Sequence, residues 1–97
     1  MILVNVRDNQ IKISGHANYS DGNDIVCASV SSIMYTTVNA IMSFGKDAII
    51  YEDNNDVVTI TNNKKDDITN KLIDNMIALL NNLVNDYPKN IKIIEED

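Results

Sequence analysis

The chain has 97 residues, enough for one compact domain and too few for two. At 44% hydrophobic and 23% charged it is globular material rather than a disordered tail. Its net charge of −6 argues against a nucleic-acid surface, which needs clustered Lys and Arg to meet phosphate. A lone cysteine, Cys27, makes no internal disulfide, so the fold needs no oxidising compartment and the cytoplasm is the expected location.

The apolar start, Met1 to Val6, lacks a basic region and a cleavage site and is too short to cross a bilayer, so no membrane partner is expected. It reads as a first strand. Residues 11–14 read as a second strand, joined to the first through Arg7-Asp8-Asn9-Gln10. The polar stretch from Gly15 to Asn23 follows. From Asp24 to Phe44 the spacing predicts a helix, with Val26, Val30, Ile33, Thr37, Ile41 and Phe44 on one stripe. Asp24 suits its N-cap and Gly45 its C′ position, while Met34 and Met42 read as core filler. Ala48–Asp53 and Val57–Thr61 read as a hairpin turning at Asn54-Asn55-Asp56. A second helix is predicted from Asp67 to Asp86, with Ile68, Leu72, Met76, Leu79, Leu83 and Tyr87 on its apolar face and Pro88 ending it. Ile91–Ile94 closes the chain as a strand. The expectation is a single α+β domain over residues 1–97, ordered β-β-α-β-β-α-β, with a mainly antiparallel sheet and both helices on one face.

The chemistry-bearing residues cluster around the first predicted helix. With Asp24 as N-cap, Cys27 falls at the third helical position, where unpaired N–H groups and the positive end of the helix dipole stabilise a thiolate. His16, the only histidine, lies at the end of a strand just before the same helix. A thiol with an imidazole to take and return its proton is the core of a cysteine hydrolase. The same two residues also fit a buried small hydrophobe and a structural histidine, and spacing alone does not choose.

The strings around them say more. Gly15-His16-Ala17, then Gly22, then Asp24-Ile25-Val26-Cys27-Ala28 and Val30-Ser31 closely resemble the signature of the bacterial ribosomal-processing cysteine protease family, called Prp. Chain length and element order resemble that family as well. The resemblance implies a homodimeric endopeptidase that removes the N-terminal extension of large-subunit ribosomal protein number twenty-seven, cutting after a hydrophobic, aromatic-rich segment. Matched by motif position, Cys27 becomes the nucleophile, His16 the general base and acid, and Asp24 and Ser31 the family's aspartate and serine. One departure is a histidine-to-cysteine spacing one residue shorter than the family's usual, the missing residue falling within Tyr19-Ser20-Asp21-Gly22. The alternative is a non-catalytic ribosome-associated binding module.

Several supporting residues keep two readings each. Asp24 either caps the helix or orients His16. Ser31, one turn beyond Cys27, either borders the thiolate or bonds back to the Cys27 carbonyl. Gly15 and Gly22 are expected to supply backbone conformations closed to other residues. Residues 18–23 read as a loop able to close over a peptide, with Tyr19 facing either a substrate aromatic or the loop. The N–H groups of Cys27 and Ala28 are expected to form an oxyanion hole. A basic ribosomal precursor as substrate also suits the acidic net charge. No metal site and no cofactor fingerprint is expected, since one His and one Cys give too few zinc ligands.

Overall fold

In the computed structural model, which describes residues 1–96, the chain forms β1 (Ile2–Val6), β2 (Gln10–Ser14), α1 (Ile25–Phe44), β3 (Ile49–Asp53), β4 (Val57–Asn62), α2 (Asp67–Asp86) and β5 (Ile91–Glu95). The element order is the one expected. The five strands make one sheet in the order β3-β4-β2-β1-β5. Three of its pairings are antiparallel and one, β1 with β5, is parallel.

The alternation of side chains sorts the sheet into two faces. Val4 lies opposite Ile13 and Ile93, and Ile13 opposite Val58. One step along, Val6 meets Ile11, Ile11 meets Ile60, and Ile60 meets Tyr51. These rows are buried or partly buried and join the core. The opposite face carries Asn5, Lys12, Thr59 and Glu52 in one cross-strand row. Both helices therefore cover the apolar face, α1 over the β3 side and α2 over the β5 side, and they pack against each other.

Helix α1 places Val26, Val30, Met34, Thr37, Val38 and Ile41 in the core. Two apolar residues depart from the expectation: Phe44 is 68% exposed and Met42 also faces outward. By length and composition α1 is apolar enough to cross a membrane, but its buried face is used on the sheet and α2. On α2 the predicted Met76 is buried and Leu72, Leu83 and Tyr87 pack partly buried against the core, but the buried face is shifted toward Thr69, Ile73 and Leu80. Thr69, Ile73, Met76 and Leu80 are buried, whereas Ile68 and Leu79 are 48% and 40% exposed.

Gly45 is the C-cap in extended backbone (φ −170°) rather than a left-handed C′ residue. At the β3–β4 turn, the Asn54 side-chain oxygen accepts from the Val57 N–H at 2.9 Å and Asn55 adopts φ 76°, as the hairpin reading required.

Candidate active site

The site is built where β2 ends and α1 begins. Asp24 caps α1: one carboxylate oxygen accepts from the N–H groups of Val26 and Cys27, both at 3.0 Å. The other oxygen accepts from the Tyr19 N–H, also at 3.0 Å, and so ties the preceding loop to the helix start. These bonds, the Cys27 N–H foremost, hold the Asp24 carboxyl below its ordinary value of 3.8. No hydrogen bond joins Asp24 to His16 among the described residues. Of its two readings, the cap is the one the geometry supports.

Capping also uses up the expected oxyanion donors. The Cys27 N–H points to the Asp24 side chain, and the Ala28 N–H donates to the Asp24 carbonyl at 3.0 Å. Neither is free for a substrate oxygen in this arrangement, which corrects the oxyanion-hole expectation.

Cys27 is partly buried and its sulfur faces the loop that carries His16. The backbone N–H of Ala17, the residue after that histidine, donates to Cys27 Sγ at 3.3 Å. Gly15, His16, Cys27 and Ser31 line a single cavity of about 230 Å³. Its floor is apolar, from Ile2, Ile13, Val30 and Met34, and its far wall comes from Tyr35 and the β3–β4 hairpin residues Asp53, Asn55 and Asp56. Cys27 and His16 thus line one concave space big enough for part of a peptide. Gly22 and Asp24 stand outside it.

The supporting residues divide. Gly15 has φ +85°, and a Cβ there would run into the Met1 carbonyl, so the position requires glycine. Gly22 corrects its expectation: it is not left-handed, and an added Cβ would meet nothing within 4 Å. Ser31 is exposed on the cavity wall, and its hydroxyl does not bond back to the Cys27 carbonyl among the described residues. Tyr19 packs edge-on against Tyr87, ring centroids 5.3 Å apart at 83°, while remaining 48% exposed. Among the described residues no three or more His, Cys, Asp or Glu are grouped to hold a metal ion.

The sequence reading missed Ala17 as a donor to sulfur and missed the hairpin wall altogether. Asn54-Asn55-Asp56 signals a turn in sequence, and nothing local says that the turn shares a cavity with the N-terminal half of α1.

A partly buried thiol at a helix start, sharing a cavity with the only histidine, defines a candidate cysteine hydrolase. Residues 1–92 match the family model described as cysteine protease Prp. The ribosomal processing cysteine protease Prp of Staphylococcus aureus (strain Mu50) is 32% identical over 88 residues, covering 84% of this chain and 80% of that protein. Its Mycoplasma genitalium counterpart is 31% identical over 99 residues, covering 99% and 97%. A crystal structure of the S. aureus protease with a covalently linked product peptide superposes with a TM-score of 0.87 at 27% identity, covering 99% of this chain and all of that one. The chain belongs to the Prp family of cysteine proteases.

Proposed function

We propose that this protein is the endopeptidase that removes the N-terminal extension of large-subunit ribosomal protein number twenty-seven during ribosome maturation. The observation that carries the reading is the shared cavity of His16 and Cys27, with the Ala17 N–H on the sulfur. Further support comes from relatives named ribosomal processing proteases and from an S. aureus Prp structure solved with a substrate peptide.

In this reading the Cys27 thiolate attacks the scissile carbonyl and forms a tetrahedral intermediate. His16 gives a proton to the departing amine as the C–N bond breaks, leaving a thioester on Cys27. His16 then takes a proton from water, which attacks the thioester and releases the acid and the Cys27 thiolate, with that proton left on His16 for the next cycle. The N–H on sulfur stabilises the charge that returns to it as the thioester is cleaved, because hydrogen bonds to charged acceptors are the stronger ones. Ser31 borders the same space as a polar wall residue. The enzyme works in the cytoplasm, without cofactor or bound nucleic acid, as a homodimer; the uncharged outer face of α1, with Met42 and Phe44 exposed, supports a contact between copies.

The substrate assignment is tested by mixing the purified protein with a synthetic peptide spanning the extension and its junction, and with a scrambled peptide of the same composition. Mass spectrometry should find one cut, at the junction, in the first peptide alone. Equal cutting of both, or of neither, would refute the assignment.

A further inference from the structure

The loop that carries His16 is held from the opposite end of the chain. Ala17 is only 1% exposed and is hydrogen-bonded on both sides. Its N–H donates to Cys27 Sγ at 3.3 Å, and its carbonyl accepts from the Asn90 side-chain amide at 2.9 Å, across 73 residues of sequence. Asn90 sits in the turn between α2 and β5, and its own backbone is fixed. Its N–H donates to the Tyr87 carbonyl, and its carbonyl accepts from the Ile2 N–H, both at 2.9 Å. The Tyr19–Tyr87 ring contact ties the same loop to the same turn two residues further on.

An amide that must donate to a carbonyl has its nitrogen placed by that partner. Asn90 therefore acts as a fixed donor mounted on β1 and the end of α2. We propose that Asn90 is a positioning residue for the nucleophile: by clamping the carbonyl of Ala17 it keeps the Ala17 N–H aimed at Cys27 Sγ and His16 directed into the cavity. The role rests on the reading of Cys27 as the nucleophile. It gives the C-terminal turn a part in the chemistry, and the mechanism is preorganisation. A donor already in place costs no rearrangement when charge gathers on sulfur. Without Asn90 the Ala17 carbonyl is left partly buried and unpaired, and the loop gains freedom to turn its N–H away.

The test compares wild type with Asn90→Asp, which keeps the shape and loses the donor, and Asn90→Ala. Asn62→Ala, at the far end of the sheet where Asn62 donates to Asn70 at 2.7 Å, is the control. Iodoacetamide alkylation of Cys27 is timed at pH 7 and at pH 10, at temperatures where circular dichroism shows each variant folded. Both Asn90 variants should react about fivefold more slowly than wild type at pH 7, the scale of one hydrogen bond. They should reach the wild-type rate at pH 10, where an ordinary thiol is ionised, and Asn62→Ala should match wild type throughout. On the precursor peptide, Asn90→Asp should lower kcat and leave KM within about twofold. Wild-type alkylation by Asn90→Asp at pH 7, or an equal change at both pH values as a loosened loop alone would give, overturns the proposal. Alkylation needs no substrate, so it decides the role of Asn90 separately from whether the precursor is the natural target.

Discussion

Asp24 spends both carboxylate oxygens on backbone N–H groups, two in the first turn of α1 and one in the loop before it. A carboxyl held below its ordinary value by such bonds stabilises the fold fully above the unfolded range. That contribution is lost as pH falls through the lowered value. Asp24→Ala should therefore lower the melting temperature at neutral pH and flatten its decline below about pH 4; an unchanged acid limb would show that the cap carries no such linkage. At Gly15 the constraint is steric. Gly15→Ala combines φ +85° with a collision on the Met1 carbonyl and should cost on the order of 1–3 kcal/mol in denaturant unfolding. Gly22→Ala, in open space, should stay within about 0.5 kcal/mol. The histidine, the cysteine and the cap could be read from sequence because each follows from a local rule or a short string. Ala17 and Asn90 could not, since their roles depend on atoms brought together across the whole fold.

Among the elements, α2 shows where periodicity stops being informative. Its apolar residues come in adjacent pairs, Leu72-Ile73, Met76-Ile77, Leu79-Leu80 and Leu83-Val84. Two stripes one residue apart therefore fit the pattern equally well. Contact with α1 and β5 selects the stripe through Ile73, Met76 and Leu80 and leaves Leu79 at the edge. Leu80→Ala should then cost about 2–5 kcal/mol through the cavity it leaves. Leu79→Ala should cost under about 1 kcal/mol. Reversed magnitudes in urea unfolding would mean that α2 faces the core by the stripe first expected. The parallel pairing of β1 with β5 was equally hidden, since strand order is set by how the two helices share one sheet face. The hairpins and the N-cap of α1 were legible because Asn and Asp act there through their own backbone neighbourhoods.

At the scale of the molecule, the sheet holds the C-terminal turn against the loop that bears the histidine, and the β3–β4 hairpin against the helix that bears the cysteine. The net charge of −6 adds a long-range term to that local geometry. A basic precursor should be drawn in faster at low salt, so kcat/KM should fall several-fold between about 50 and 300 mM NaCl while kcat stays nearly level. An insensitive kcat/KM would mean that charge has no part in the encounter. The central claim is that Cys27 attacks and His16 moves the proton. It is tested most directly by kcat/KM on the precursor peptide for wild type, Cys27→Ala and His16→Ala, each verified as folded. The account predicts cleavage by wild type, none by Cys27→Ala, and a loss of about 10²–10⁴-fold for His16→Ala. Cleavage by Cys27→Ala at the wild-type rate would contradict it.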